Sequence, residues 1–578
     1  MSQDPNQPAD WWMYHGDPAH TGYVGGGSRI TSQNVGASLK LLHAIQLRGP
    51  VMSVPALVGG YAYVGTANSK DAPGANGGSF FKINLETGVI EQTYSWAIDL
   101  LERDSHGFTG MACTPAVADG RVIFSALDGQ VYCLDQATLK LLWKTNLRHA
   151  DPAQNQPVEN TVGQFPPGSG EVDQPAPPVA GWSSPVVAGG KVFVGVGEGE
   201  NPSAYGFVYC LDAQTGKVRW LFCTCQFTAF RDNQPNVLPN DVVADPAKLP
   251  AGFTIHRRDL VFRGASVWAG IAYDADLKRL YCSTGNPSPD GVLPTPGYTN
   301  GLLVLDAETG NFVKFRQFPW DGSYRVSDAD VDVGGSATLF IRQGRKVVGL
   351  GCKNGCYMIL DAETLEPVVD WRQMLPFYND GTQIPTVDPH GDAEQVPNPR
   401  LTNEQSNTAN AATGADTENF YGTYSTAAIH PGLQRLFIGI GGNNYHLIAP
   451  GIDTETTPFM RAMDWNTLED AWPMDDNNPK RYLNARPPMY TNATESGLSI
   501  PAVVNDVVFM ATSHISLYAF NAADGSLLWQ DRLGAETGGL NSGYGYCLGA
   551  AIWGDYVVAG ALITGRDGGV LKIYKLSA

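Results

Sequence analysis

The sequence predicts an all-β fold, an eight-bladed β-propeller of four-stranded antiparallel blades. A two-strand unit recurs seven times along the chain, and a further pair of strands precedes most copies, which gives four strands per repeat. The composition agrees. With 43% hydrophobic residues, only 16% charged residues and 66 glycines, it is typical of turn-rich β structure with a large core.

The recurring unit is an apolar strand ending in Asp or Asn, a turn of the type Ala-x-Thr-Gly, and a second strand that often carries Trp. This pattern predicts a β-hairpin whose Asp caps the turn and whose Gly adopts a positive φ. We expect the Trp to pack between neighbouring sheets. The capping positions are Asn84, Asp135, Asp212, Asp306, Asp361, Asp464 and Asn521.

The eighth blade has no such turn. It is predicted from the strands within 546–562 and 570–576, and we expect the N-terminal segment LKLLHAIQL (39–47) to add its closing strand. That strand would join the chain ends in one sheet and remove an exposed edge. A seven-bladed propeller is the alternative.

The whole chain, 1–578, is expected to form one propeller domain. Inserts at about 147–180, 222–263 and 373–420 are rich in Pro, Gly, Asn and Asp and show little periodicity. They are therefore predicted to be long ordered loops on one face.

The formal charge of −19 argues against nucleic acid or an anionic membrane as partner and favours a basic redox partner. No apolar run is long enough to span a bilayer. The N-terminus, MSQDPNQPADWW, shows no signal-peptide pattern. We expect a periplasmic or secreted protein whose leader is not visible in this chain, with a cytoplasmic protein as the alternative.

The nine cysteines are too scattered for a disulfide scaffold. Cys133, Cys210, Cys282 and Cys356 lie in apolar strand patterns and are expected to be small buried residues. The cysteines of the pairs 223/225 and 352/356 could form disulfides or bind a metal, but neither pair has further ligands at zinc-site spacing. No Cys-x-x-Cys-His occurs, so attached haem is not expected.

The chemically informative residues fall in three stretches, 266–289, 328–340 and 351–365. They supply a flat aromatic ring, an amide on a turn, two carboxylates two positions apart and a lysine beside an Asn-Gly turn. Such a set suits a planar, acidic, metal-bound cofactor. The residues are Trp268, Asn286, Asp330, Asp332 and Lys353.

The repeat and these motifs resemble those of the PQQ-dependent alcohol dehydrogenases, quinoprotein propellers related to methanol dehydrogenase. The resemblance is nearly continuous from Trp182 to Phe340 and looser elsewhere. Noncatalytic propellers of outer-membrane assembly share the repeat, so a scaffold or interaction module without cofactor is the alternative function. The site motifs, rather than the repeat, favour the enzyme.

The resemblance implies a floor and metal ligands for PQQ. Trp268 would lie flat against the cofactor ring, and Asn286 in Thr-Gly-Asn-Pro would bind the metal. Glu200 is the matching metal-binding glutamate, with Glu198 as its competitor because this loop is about one residue longer.

The resemblance also assigns the carboxylates of 329–333. Asp330 corresponds to the catalytic base and contributes to metal binding, and Asp332 would add a second carboxylate to the metal. A second Asp is typical of family members that use lanthanides but also occurs in members that use Ca²⁺ or Mg²⁺. We therefore expect PQQ with Ca²⁺ or a lanthanide ion.

Lys353 corresponds to the cation that hydrogen-bonds the quinone oxygens, and Asn443 or Asn444 would also reach the quinone. Cys113 stands where many relatives have two neighbouring cysteines that form a ring disulfide over the cofactor, and the second one is missing here. The chain departs from the family pattern at three further positions: Gly197, Trp182 and Ala329.

The resemblance as a whole implies oxidation of an alcohol to an aldehyde or ketone, with hydride transfer to PQQ and proton transfer to Asp330. Electrons would pass to an external acceptor such as a soluble cytochrome c. The fingerprints of nicotinamide binding and of serine hydrolases are absent from the sequence.

Overall fold

The structure is a computed structural model of the chain. Strands make up most of the described residues, and their sheets are arranged as blades around a common axis. The residues described are 8–75, 77–97, 109–147, 181–197, 206–224, 228–231, 234–237, 254–255, 265–285, 298–317, 333–352, 356–373, 425–439, 460–475, 478–482, 499–512, 516–533, 548–564 and 568–577.

An N-terminal segment with one short helix precedes the first three blades. Its elements are β1 (Tyr23–Val24), α1 (Val35–Ser38) and β2 (Leu39–Leu47). Blade 1 contains β3 (Ala56–Val58), β4 (Tyr61–Thr66), a short 3-10 turn (Pro73–Ala75), β5 (Gly77–Asn84) and β6 (Ile90–Ala97). Blade 2 contains β7 (Ala116–Ala118), β8 (Arg121–Ser125), β9 (Gln130–Asp135) and β10 (Leu141–Asn146), and blade 3 contains β11 (Val186–Ala188), β12 (Lys191–Val196), β13 (Phe207–Asp212) and β14 (Val218–Cys223).

A small antiparallel sheet lies inside the insert predicted over 222–263. It consists of β15 (Thr228–Arg231), β16 (Gln234–Val237) and β17 (Thr254–Ile255). Blade 4 follows with β18 (Ile271–Asp274), β19 (Arg279–Ser283), β20 (Gly301–Asp306) and β21 (Phe312–Gln317). Blade 5 contains β22 (Thr338–Arg342), β23 (Arg345–Gly351), β24 (Cys356–Asp361) and β25 (Pro367–Gln373).

The last three blades complete the ring. Blade 6 contains β26 (Ala428–His430), β27 (Arg435–Gly439) and β28 (Met460–Asp464), and β29 (Met474–Asp475) pairs separately with β30 (Asn478–Tyr482). Blade 7 contains β31 (Ala502–Val504), β32 (Val507–Ala511), β33 (Ser516–Asn521) and β34 (Leu527–Arg532), and blade 8 contains β35 (Ala550–Trp553), β36 (Tyr556–Thr564) and β37 (Gly568–Leu576).

The predicted eight blades and their closure are confirmed in the part of the chain that the structure describes. In blade 8 the order is β35-β36-β37-β2, and β2 pairs antiparallel with β37 from Leu39 opposite Leu576 to Leu47 opposite Gly569. The seven-bladed alternative is thereby rejected. In blade 6 the described strands number three, and a bridge between Met463 and Asp470 stands beside them.

The first strands of neighbouring blades contact one another around the axis, and β35 returns to β3. They therefore line an axial channel, as in other propellers. Second and third strands are buried on both faces because the blades stack face to face. All six residues of β12, for example, are buried.

The prediction that the repeated Asp caps its turn is confirmed. The Oδ1 atom of Asp306 accepts hydrogen bonds from the backbone N–H of Glu308 at 3.0 Å and of Thr309 at 2.8 Å. Asp135, Asp212 and Asp361 cap their turns in the same way. A short side chain that accepts local N–H groups fixes such a turn.

The predicted packing of the repeat Trp between sheets is also confirmed. The Nε1 atom of Trp220 in blade 3 donates to the carbonyl of Ala307 in the turn of blade 4, at 3.3 Å. A Cβ on Gly310 of the same turn would lie 2.6 Å from the ring. The same pairing joins Trp143 to the turn containing Gly216, and Trp472 to the turn containing Gly525.

Where a blade lacks this ring, the turn of the next blade carries leucine instead of glycine. The register equivalents of Trp143 in blades 1, 4 and 5 are Gln92, Lys314 and Val369. The turns that follow them contain Leu139, Leu365 and Leu468, which are buried despite a positive φ of 51°, 59° and 56°. The leucine side chain thus fills the space that the ring occupies elsewhere.

A strap of residues 10–24 lies in the axial channel and contacts every blade. Backbone N–H groups of six first strands bond to strap carbonyls: Leu57 to Trp11, Val117 to Trp12, Tyr273 to Pro18, Leu339 to Ala19, Ile429 to Thr21 and Val503 to Gly22. Met13 packs into the core of blade 3, and Asp10 accepts a bond from Trp553 of blade 8. The strap thereby satisfies the inner edges of the blades.

Among the described residues, no helix is long and apolar enough to cross a membrane.

Candidate functional site

The predicted site residues are close in sequence to strand ends that lie at one end of the propeller, which we call the site face. In an antiparallel four-stranded blade, the second strand ends at the same side of the propeller where the first strand begins. The Ala-x-Thr-Gly turns between third and fourth strands lie at the opposite side, which we call the turn face. Glu200, Asn286 and Lys353 follow the second strands β12, β19 and β23 in the sequence, and Asn443 and Asn444 follow β27.

The other predicted residues precede first strands, which begin at the site face. Cys113 lies three residues before β7 and Trp268 three residues before β18, and Asp330 and Asp332 precede β22. Trp268 and Cys113 belong to the described residues. The others, with the competitor Glu198, lie outside them: Glu200, Asn286, Asp330, Asp332, Lys353, Asn443 and Asn444.

Backbone hydrogen bonds join the described segments that lead to these residues. The N–H of Val267 donates to Val196 at 3.2 Å, and the N–H of Gly285 donates to Ser266 at 2.8 Å. The N–H of Val333 donates to Thr284 at 3.4 Å. Described residues within four positions of 200, 268, 286 and 332 in the sequence are therefore bonded to one another at the junctions of blades 3, 4 and 5.

Trp268 is half-buried between the buried residues Val267 and Ala269. Trp268 lies three residues before β18, the first strand of blade 4, which bonds to the strap through Tyr273. This position is compatible with an aromatic floor at the site face.

Cys113 is fully buried in the core between blades 1 and 2, where its thiol donates to the carbonyl of Ser125 at 3.1 Å. Burial raises the pKa of this thiol to about 11, so it is protonated and unreactive at neutral pH. Among the described residues the free cysteines are Cys113, Cys133, Cys210, Cys282 and Cys352. The predicted burial of Cys133, Cys210 and Cys282 is confirmed, and the contact of Cys113 with a cofactor stays a prediction.

Two departures from the family pattern have a structural reason. Gly197 has a φ of 134°, and a Cβ there would collide with the side chain of Ser266, so glycine is required. Trp182 packs on an apolar cluster of blades 1 and 2 that contains Met52 and Leu127. It adds apolar surface where a smaller polar residue is typical.

One buried amide at the site face was missed in the sequence. Asn300, immediately before β20, is 2% exposed, and neither its Oδ1 nor its Nδ2 has a hydrogen-bond partner. Its backbone N–H donates to Gly285, the residue before Asn286. The available signal was weak: an Asn before Gly indicates only a residue that tolerates the left-handed region, and its φ is 51°.

The strap was also missed, although its sequence WWMYHGDPAHTG (11–22) is rich in aromatic, His and turn residues. Burial lowers the pKa of His15 to about 4 and that of His20 to about 3. The His20 ring is therefore neutral at physiological pH. In the described part of the chain, no group of three or more His, Cys, Asp or Glu side chains is arranged to hold a metal.

Sequence models of two protein families match the chain. The model described as the β-propeller domain of glucose/ethanol/alcohol dehydrogenase, a PQQ-type model, matches residues 169–420. A second PQQ-type model, described as outer membrane protein assembly factor BamB, matches residues 26–220 and 460–563, just over half of the chain.

The chain belongs to the PQQ-type propeller family.

Curated relatives of this PQQ-type propeller include oxidoreductases. The dehydrogenase subunit of a quinone alcohol dehydrogenase from Gluconacetobacter polyoxogenes is 29% identical over 45% of this chain and 35% of that protein. A quinohemoprotein alcohol dehydrogenase from Comamonas testosteroni is 26% identical over 61% of this chain and 45% of that protein. The matched region spans about a third to a half of the length of these relatives.

Solved structures share the fold of this PQQ-type propeller. The quinohemoprotein alcohol dehydrogenase from Comamonas testosteroni superposes with a TM-score of 0.64 at 18% identity, covering 99% of this chain and 81% of that one. A europium-containing methanol dehydrogenase gives 0.64 at 17% identity and 99% coverage of both chains. At these identities the likeness concerns the fold.

Proposed function

We propose that this PQQ-type propeller binds PQQ and one metal ion at its site face and oxidises an alcohol to an aldehyde or ketone. The observation that carries the proposal is the convergence of the described strand ends leading to positions 200, 268, 286 and 332 at neighbouring blade junctions. The names of the curated relatives support the same reaction class.

The residues at the site face suit such a cofactor. Trp268 supplies an aromatic face for a planar ring, and Glu200, Asn286, Asp330 and Asp332 supply the oxygen donors that a hard cation prefers. The buried amide of Asn300 leaves two hydrogen-bonding atoms unpaired beside Gly285. Because an unpaired buried polar group costs about 1–3 kcal/mol, a polar ligand there would recover part of that cost.

The roles of the residues follow from their chemistry. When bound, PQQ supplies the acceptor for a hydride from the alcohol carbon, and the metal would be Ca²⁺ or a lanthanide. Asp330 accepts the hydroxyl proton of the substrate, so the alcohol loses one hydride and one proton. Lys353 places a positive charge where negative charge develops, and Asn443 or Asn444 and Cys113 complete the cofactor contacts.

Because the strap occupies the axial channel, a substrate would enter the proposed site from the site face. Because residues 10–24 bond to the first strands inside the channel, a substrate would reach Trp268 from the side where the long inserts are predicted. Electrons would leave toward an external acceptor such as a soluble cytochrome c, whose basic surface the charge of −19 attracts. This chemistry favours a periplasmic location.

The test is reconstitution of the apo-protein with PQQ and either Ca²⁺ or La³⁺, followed by calorimetry and alcohol-dependent dye reduction. We expect binding with at least one metal and turnover of an alcohol. An absence of PQQ binding with both metals would overturn the proposal and leave the scaffold alternative, which the BamB-type match makes relevant.

Asp330→Asn separates chemistry from binding. It removes the proton acceptor but keeps a similar shape, so we expect a loss of turnover of at least about a thousandfold. Thermal unfolding of the apo-protein should be unchanged. Activity within tenfold of the wild type would show that another group is the base.

Asp332→Ala tests the metal preference. Loss of one carboxylate should weaken La³⁺ more than Ca²⁺, because the trivalent ion gains more from each negative ligand. The ratio of metal concentrations that half-activate the enzyme gives the answer. An unchanged ratio would remove Asp332 from the ligand set.

A further inference from the structure

The strap is held in one shape by its own hydrogen bonds. Asp17 accepts bonds from the backbone N–H of Ala19 and Thr21 and from the Thr21 hydroxyl. The Nδ1 atom of His15 lies 2.7 Å from the carbonyl of His20, and its Nε2 lies 2.9 Å from that of Pro501. Burial of these groups in the channel makes the strap a rigid part of the fold rather than a loose terminus.

A chain of hydrogen bonds leads from the strap to the segments of the proposed site. The Tyr14 hydroxyl lies 2.8 Å from Thr426 Oγ1, which also accepts the backbone N–H of Ser336 at 2.9 Å. The hydroxyl of Ser336 in turn donates to the carbonyl of Gly270. These hydrogen bonds join the segments that immediately precede the first strands of blades 4, 5 and 6.

Two members of this chain of hydrogen bonds lie close in the sequence to residues with assigned roles. Gly270 is two residues after Trp268, and Ser336 is four residues after Asp332. Each of these segments also enters a first strand that the strap holds, through Tyr273 and Leu339 respectively. The strap is therefore bonded to the strand that follows the aromatic floor in blade 4 and to the first strand of blade 5.

The strap packs closely around Gly270, two residues after the floor residue Trp268. A Cβ on Gly270 would lie 2.7 Å from Ser336 Oγ, 3.1 Å from Tyr14 Cδ1 and 3.2 Å from His20 Cε1. The Tyr14 and His20 rings meet edge to face with centroids 5.0 Å apart. A shift of Tyr14 would be transmitted directly to the backbone of Gly270.

We propose that the strap positions the cofactor floor, with Tyr14, Thr426 and Ser336 as positioning residues that hold the segment from Gly270 back to Trp268 in place. The inference rests on the proposed function and adds to it a source of preorganisation below the cofactor. The hydroxyl of Thr426 is the centre of the chain because it contacts both Tyr14 and the Ser336 backbone.

The test compares Thr426→Val with Thr426→Ser in the full chain. Valine keeps the shape but removes the hydroxyl, and serine keeps the hydroxyl. The affinity for PQQ is measured by calorimetry at saturating Ca²⁺ or La³⁺, and apo-protein unfolding is followed in parallel. We expect Thr426→Val to weaken PQQ three- to tenfold and Thr426→Ser to remain near the wild type. A value for Thr426→Val equal to that of Thr426→Ser would overturn the inference.

Tyr14→Phe and Tyr281→Phe form a second matched pair. The Tyr281 hydroxyl is buried and bonds at 2.8 Å to the carbonyl of Ala362 in the turn of blade 5, so it controls for loss of a buried hydrogen bond. Tyr14→Phe should weaken PQQ three- to tenfold and Tyr281→Phe should not. Equal affinities for the two variants would show that the strap has a structural role only, and this pair decides the matter if Thr426→Val fails to fold.

Failure of the proposed function is read from the wild type. If the unmodified protein binds no PQQ with either metal, the proposed function is wrong and the positioning role falls with it. If the wild type binds PQQ and the variants do not differ from their controls, only the positioning role is wrong.

Discussion

The two ends of the propeller are built by different rules. At the turn face each connection is short, and Asp306, Asp135 and their equivalents cap it by the same hydrogen bonds. At the site face the connections differ in length from blade to blade, and the proposed residues are not repeated. Stability is thus concentrated where the sequence repeats, and the proposed chemistry lies where it does not.

The turn face also shows that the repeat compensates for its own variation. Glycine occurs where the preceding blade supplies a ring, and buried leucine occurs where it does not. A left-handed leucine costs about 1–2 kcal/mol in backbone strain, but its burial contributes about 1.5–3 kcal/mol. The balance explains why the altered turns persist.

Among substitutions that test the difference between the turn face and the site face, Gly310→Ala should have the largest effect on stability. Its φ is 74°, and a Cβ would lie 2.6 Å from the Trp220 ring. We expect a loss of about 2–4 kcal/mol in unfolding free energy, from backbone strain and displacement of the ring. Denaturant unfolding measures it.

Gly120→Ala is the matched control, because its φ is 73° and nothing lies within 4 Å of a Cβ there. It should cost only about 1 kcal/mol. PQQ affinity should be unchanged in both variants. Equal losses would mean that ring packing does not stabilise the turn face.

The next effect concerns acid sensitivity of the strap. Burial and the nearby His15 lower the pKa of His20 from 6.5 to about 3, against a smaller opposing effect of the Ala337 carbonyl. The unfolded chain binds this proton more readily, so the stability is complete above about pH 6.5 and falls as the pH is lowered. His20→Phe should make the plot of unfolding free energy against pH flatter. We expect its slope between pH 6 and 4 to decrease by up to about 1.4 kcal/mol per pH unit.

The other titratable groups of the strap are present in both proteins. Asp17, whose pKa is raised by burial, contributes with the opposite sign, and Tyr14, with its pKa raised to about 12, does not titrate in this range. Measuring the difference between wild type and variant removes their contributions. Identical slopes would show that His20 is accessible to protons in the folded protein.

The third prediction is a substitution at the site face that should not destabilise the apo-protein. Asn300→Gly removes an unpaired buried amide while keeping the positive φ, so the apo-protein should gain about 1 kcal/mol or remain unchanged. Its stabilisation by PQQ and metal, measured as a thermal shift, should decrease.

Asn505→Gly is the control at a φ of 48°, because the amide of Asn505 donates to Ser28 and Ile30. That variant should lose about 1–3 kcal/mol without a change in the PQQ-dependent shift. A comparable loss for Asn300→Gly would indicate that its amide is paired in the apo-protein.

The smallest effect is expected at the turn cap of Asp306. Asp306→Ala removes the acceptor for Glu308 and Thr309 and should cost about 0.5–1.5 kcal/mol, whereas Asp306→Asn keeps an acceptor oxygen and should cost less. Thermal unfolding distinguishes the two. Equal shifts would assign the effect to charge rather than to capping.

The fold was predictable because its determinants are local and repeated. The capped turns and the inter-blade Trp follow from patterns within about fifteen residues, and the closing strand 39–47 follows from the need to complete the last blade; the structure confirms all three. Trp268 and its companions stand out by their chemistry, but their individual roles could be assigned only through resemblance, since each occurs once. Their direct contacts with cofactor or metal remain predictions.

The strap and Asn300 were not predictable for a physical reason. The strap bonds through its backbone carbonyls to single N–H groups on six distant strands, so its sequence carries no periodicity that reveals the pairing. Asn300 is distinctive through the absence of partners around it, which depends on neighbours far away in the chain. Neither property can be derived from local sequence.

The strap has a further consequence for biosynthesis. Its bond from Val503 to Gly22 and the pairing of Leu39 with Leu576 link segments that are synthesised hundreds of residues apart. Contacts of such separation form late, because a long loop must close before they contribute. A nascent chain therefore has an open ring until blade 8 has been translated, and ring closure is the step at which aggregation competes with folding.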